Sequence, residues 1–73
     1  MTTATTKGIN QAKRLLVSNG RKFAGFVIRD CYGDEEYPAG SRGARSAIES
    51  AEEVCGISEI FPNFLDQIVI KLK

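Results

Sequence analysis

Histidine is absent from this sequence, and that absence excludes more than any motif present includes. Without imidazole, Ser-His-Asp and Cys-His catalysis in their usual forms are unavailable, and the commonest metal ligand is missing. Two cysteines, Cys31 and Cys55, cannot complete a structural zinc site unless carboxylates or a second chain help. No charge of one sign dominates: ten basic against nine acidic residues leave a net charge of +1. That is far from the basic surplus of a general nucleic-acid binder and equally far from the acidic surplus of a DNA mimic. No apolar run approaches the roughly 18 residues of a membrane span. These absences predict a non-enzymatic chain with no cofactor and no metal, and a cytoplasmic location.

The 73 residues make one domain with a thin core, because a chain of this size buries only about 60% of its unfolded surface. Met1 to Lys7 lacks the basic-then-apolar order of a signal peptide. It reads as a flexible polar tail over 1–7, with a single domain over 8–73. Cys31 and Cys55 both sit in apolar contexts and are expected to be reduced, buried and structural.

The clearest organising signal is a helix. Ala44, Ala47, Ile48, Ala51, Val54 and Cys55 follow the i, i+3, i+4, i+7 spacing of a helix with one buried face, and Gly56 stops it. Ser46 and Glu49 have capping-box spacing, which allows the helix a start as late as residue 47. Upstream, Ile9, Ala12, Leu15 and Leu16 predict a helix over 9–18 with Asn19-Gly20 as its cap. Asn-Gly between two apolar runs is equally a hairpin signal, so a strand competes there. Residues 22–31 read as a strand, with Ala24, Phe26 and Ile28 on one face and Phe23 and Val27 on the other. Tyr32 to Glu35 reads as a turn, and Glu36 to Ala39 as a short strand that Pro38 confines to a sheet edge. Ile57 to Asn63 reads as a connection. Asp66 to Leu72 closes the chain as a half-buried strand, with Ile68, Ile70 and Leu72 alternating with Gln67, Val69 and Lys71.

The order is α-β-β-α-β, or β-β-β-α-β if the hairpin forms. Either gives an α+β fold: a small three- or four-stranded, mostly antiparallel sheet with one or two helices on one face. The second face is then poorly covered. Phe23, Val27 and Val69 are expected there as a contact surface.

Several constellations carry possible chemistry. Gly40-Ser41-Arg42-Gly43-Ala44-Arg45 places glycines and arginines at a helix start, where free N–H groups favour anions; the alternative is a plain joint with Arg45 paired to Glu49. The same Gly40-to-Gly43 spacing resembles the GxxG loop of KH domains, which clamps single-stranded nucleic acid. The resemblance covers Gly40 to Gly56. It departs at Glu36 to Ala39, which are not the apolar helix of that family, and at Ser46, so no family is assigned. Asp30, Asp34, Glu35 and Glu36 gather at a turn without EF-hand spacing and read as a solvated cluster. Glu49, Glu52 and Glu53 read as a negative patch on the outer helix face. Lys13, Arg14, Arg21 and Lys22 form a basic cluster.

The resulting expectation is a small interaction protein that binds and blocks or modulates a larger protein. Chains of this size and composition are typical of phage and mobile-element accessory proteins, including inhibitors of bacterial defence systems. Phe23 and Val27 would be apolar anchors, with Arg42, Arg45, Glu49, Glu52 and Glu53 as charged rim. A homodimer through the open sheet face is a second possibility. The alternative is a nucleic-acid-binding module placing Lys13, Arg14, Arg21, Lys22, Arg42 and Arg45 on phosphates.

Overall fold

In the computed structural model, which describes residues 1–73, the chain forms two helices and one four-stranded mixed sheet. The elements are α1 (Thr3–Ser18), β1 (Gly25–Asp30), β2 (Gly33–Pro38), α2 (Ala44–Val54), β3 (Ile57–Pro62) and β4 (Gln67–Leu72). The fold is α+β, and the helix, not the hairpin, forms at the N-terminus. The sheet order is β2-β1-β4-β3; β1 and β4 run parallel at its centre, and each pairs antiparallel with an edge strand.

Strand alternation sorts the sheet into two faces. Ile28, Ile68 and Ile70 join Ile9, Ala12 and Leu16 of α1 and Ile48 of α2 in one cluster, flanked by Phe26, Tyr37, Ile57, Ile60 and Leu72. Both helices therefore cover the same face. α1 lies close over β3: a Cβ at Gly8 would stand 2.9 Å from Ile60 Cδ1. The opposite face carries no helix. Its rows run Asp34–Arg29–Lys71–Glu59 and Glu36–Val27–Val69–Phe61 from edge to edge.

Four expectations need correction. The stretch read as a flexible tail is helical from Thr3, because the Thr2 hydroxyl accepts from the Thr5 N–H as an N-cap and Thr5 is buried. Ile57–Pro62 is a strand, not a connection: Ile60 faces the helices and Phe61 the other way, a period of two. The β1–β2 turn is confined to Cys31 and Tyr32, since Asp30 Oδ1 accepts from the N–H groups of Tyr32 (2.8 Å) and Gly33 (3.0 Å), and pairing begins at Gly33. α2, by contrast, starts at Ala44 as its apolar spacing predicts, on an N-cap Gly43 rather than at the later capping-box position. Both cysteines are exposed rather than buried. Cys31 occupies the hairpin tip, and Cys55 lies past the last turn of α2, where Val54 is also exposed and the apolar stripe leaves the sheet.

Gly25 holds the one backbone site that no side chain fits. Its φ is +143°, and a Cβ there would meet the Tyr37 carbonyl oxygen at 2.3 Å and Pro38 Cα at 2.9 Å. Gly25→Ala must move backbone rather than a side-chain tip, and is expected to destabilise the fold by at least about 2 kcal/mol. Gly43→Ala, whose Cβ meets open space, should stay within about 1 kcal/mol of wild type. Urea denaturation of the two variants checks the contrast.

Candidate functional site

The helix-free face is where exposed apolar surface and concavity coincide. A groove of about 650 Å³ is lined by Val27, Phe61, Pro62, Phe64 and Leu65 together with polar side chains of β1, β2 and β4. Such a volume falls within the roughly 300–1,000 Å³ of ligand clefts. Phe64 is 80% and Leu65 60% exposed, at the tip of the β3–β4 turn.

That turn is held rigidly. Asn63 Oδ1 accepts from the N–H groups of Leu65 (3.0 Å) and Gln67 (2.9 Å), and Asn63 Nδ2 donates to Gln67 Oε1 at 3.1 Å. Asp66 sits at φ +64°, a left-handed position that aspartate tolerates better than most residues. Arg21 reaches across from the α1–β1 connection to pair with Asp66, and its Nη2 donates to the Phe64 carbonyl at 2.6 Å. Phe64 and Leu65 are thus presented on a braced loop.

Electrostatics of the groove come from three side chains. Arg29 and Asp34 form a two-pronged pair at 2.9 and 3.1 Å. The Arg29 hydrogen bond holds the Asp34 carboxyl below its usual range, and Asp34 in turn raises Arg29. Glu36 has no such cation; it accepts from Gln67 Nε2 at 2.8 Å, a bond that spans β1 from β4 to β2. On the other face of β2, the Tyr37 hydroxyl donates to Glu35 Oε1, and this neighbouring carboxylate raises the tyrosine pKa. Alternation therefore separates Asp34 and Glu36 from Glu35 and Asp30, and the acidic residues do not converge on one point.

The predicted anchors are placed differently. Val27 is on the helix-free face as expected, yet only 3% exposed, and Val69 is fully buried beside it. Phe61, Glu36, Gln67 and Arg29 flank the two valines and close over them. Phe23 is not on that face. It packs against the helix-side core, edge-on to Phe26 at 5.0 Å, with Lys13 Nζ 4.9 Å from its ring centre.

Glu49 and Glu52 also change role. They are half-buried and point at the N-terminus of α1 rather than outward. Glu52 Oε1 accepts from the Thr2 N–H at 2.9 Å, and Glu49 Oε1 meets the terminal ammonium at 3.3 Å. Carboxylates at the positive end of α1 are favourable there. The Thr5 hydroxyl, then the Thr2 N–H and the terminal charge, keep the Glu52 carboxyl below its ordinary value. Only Glu53 remains as an exposed acidic residue of that trio.

Of the six basic residues named for a nucleic-acid interface, Arg21 braces the turn, Arg45 pairs with Glu49 at 3.4 Å, and Lys13 lies over aromatic rings. Arg14, Lys22 and Arg42 are exposed without ionic partners. No helix of the chain is long and apolar enough to cross a membrane.

Phe64 and Leu65 fall between the expected connection over 57–63 and the expected strand from Asp66, so no predicted element includes them. The available signal was Asn63-Phe64-Leu65-Asp66 between two alternating apolar runs, a hairpin-loop pattern. Comparisons of the chain with protein families, curated proteins and solved structures return no match.

Two outcomes follow. Val27→Asp puts an unpaired carboxylate into a buried site and is expected to cost about 3 kcal/mol or more, so it unfolds the protein instead of reporting on a surface. Circular dichroism at 25 °C checks this. Glu52 has a folded-state pKa below its ordinary 4.5, so its stabilisation is present above pH 4.5 and lost as pH falls through the lower folded value. Glu52→Gln should therefore lower Tm near neutrality, and the difference from wild type should shrink in thermal melts taken below pH 4.5.

Proposed function

We propose that this chain is a small, non-catalytic interaction protein that binds a larger protein through the helix-free face of its sheet. Binding would block or modulate the partner by covering its surface. The observation that carries this reading is the pair Phe64 and Leu65, exposed on a turn that five side-chain interactions brace. Exposing two large apolar side chains is unfavourable in an isolated chain. Fixing them in place reduces the ordering entropy lost on association, which is what an interface hot spot requires.

The charge pattern supports a protein partner over nucleic acid. The groove presents Asp34 and Glu36, which repel phosphate, and Arg21, Arg45 and Lys13 already have intramolecular partners. The setting that fits a compact, cofactor-free chain of this length is that of a phage or mobile-element accessory protein, such as an inhibitor of a bacterial defence system.

The test compares capture by tagged wild type, a Phe64→Ser/Leu65→Ser double variant and Val54→Ser. Val54 is also exposed, at 82%, but lies on a helix at the other face. A partner retained by wild type and Val54→Ser, and reduced at least tenfold by the double variant, is expected. The double variant should melt like wild type, because neither side chain is buried. A partner captured equally by all three chains would remove the helix-free face from the reading.

A further inference from the structure

We infer that the groove beside Phe64 takes a segment of protein that presents a lysine or arginine next to a large apolar side chain, with the cation on Glu36. This rests on the reading of the helix-free face as the binding surface and adds the chemistry of what it accepts.

Three observations point to that occupant. First, the groove is amphipathic in a fixed order. One cross-strand row places the Glu36 carboxylate on one edge strand and Phe61 on the other, with the buried Val27 and Val69 between them. Second, the lining carries one cation and two carboxylates, and the cation is already taken. Arg29 is held by Asp34 through two hydrogen bonds, which leaves Glu36 as the groove's unpaired charge. Third, Glu36 is held in place by a neutral donor. Gln67 Nε2 binds its Oε1, fixing the side chain without neutralising it. An anchored carboxylate beside apolar surface favours a cation with an aliphatic stem, because the stem packs while the charge pairs. The same charge disfavours acidic peptides, phosphate-rich polymers and anionic lipid surfaces.

The side-chain pattern of β2 bears on how the segment lies. Asp34, Glu36 and Pro38 share the open face, and Pro38 lacks an N–H. A proline and two carboxylates on an edge strand discourage strand addition. The segment therefore lies across the face rather than extending the sheet.

The experiment selects peptides from an unbiased displayed library on the wild-type protein. The enriched sequences are then synthesised and titrated by fluorescence anisotropy at low and high salt. Enriched peptides are expected to pair Lys or Arg with Phe, Leu, Ile or Met. Glu36→Gln, which keeps the size of the side chain and a carbonyl acceptor for Gln67, should weaken them at least fivefold and flatten their salt dependence. Phe64→Ser should weaken them at least tenfold, and Glu53→Gln on α2 should change nothing. Enrichment of acidic or purely apolar peptides, no enrichment, or affinity indifferent to Glu36→Gln would each overturn the inference. So would self-association of the wild type that Phe64→Ser abolishes, since the occupant would then be a second copy. If a lysate partner still depends on Phe64 and Leu65 while the peptide result is negative, the interaction reading stands and this recognition chemistry falls.

Discussion

The parallel contact between β1 and β4 is the constraint on which the other elements depend. Two strands from distant parts of the chain meet in register, Phe26 beside Ile68, Val27 beside Val69, Ile28 beside Ile70. Their apolar side chains fill both faces of the sheet at its centre. On one face they need the helices, and Ile9, Ala12, Leu16 and Ile48 supply the cover. On the other they rely on cross-strand neighbours, Phe61, Glu36, Gln67 and Arg29, to shut out water. The groove exists because that second cover is made of side chains alone.

This arrangement explains what could and could not be read from the sequence. The helix over 44–54 and its glycine stop were legible because period and punctuation agreed: Ala44 and Ile48 are buried, and Gly56 has a φ of +79°. The runs Phe26-Val27-Ile28 and Ile68-Val69-Ile70 were legible as strands. Their two-sided burial was not, because period-two reasoning assigns one buried face, and which strands become central depends on pairing at long range. The same blindness made Val27 an anchor on paper and a core residue in the fold. Cys55 and Val54 fit the apolar stripe of their helix, yet the helix outruns the sheet beneath it, a length mismatch that periodicity does not encode. Phe23 sits two residues outside the regular strand, where alternation no longer sets direction.

The charged residues show a related pattern. Glu49 and Glu52 look from the sequence like a solvated helix face, but α2 turns them toward the N-terminus of α1, where free N–H groups and a terminal ammonium await them. Arg21 looks like one of a basic cluster and instead ties the α1–β1 connection to the far hairpin. In a chain with so small a core, side chains that sequence reasoning assigns to partners are used to join elements that share little apolar contact. Few side chains of the helix-free face remain unused in this way: Phe64 and Leu65 stay exposed, and the Glu36 carboxylate has no ionic partner.

The edges of the sheet have a consequence for how such a protein can be deployed. β2, at one edge, carries Asp34, Glu35 and Glu36 in succession and ends in Pro38, whereas β3, at the other, has one face covered by α1. The run of carboxylates and the proline make the β2 edge a poor template for another strand. With that edge blunted, fibre growth through β2 is disfavoured even where the chain is concentrated.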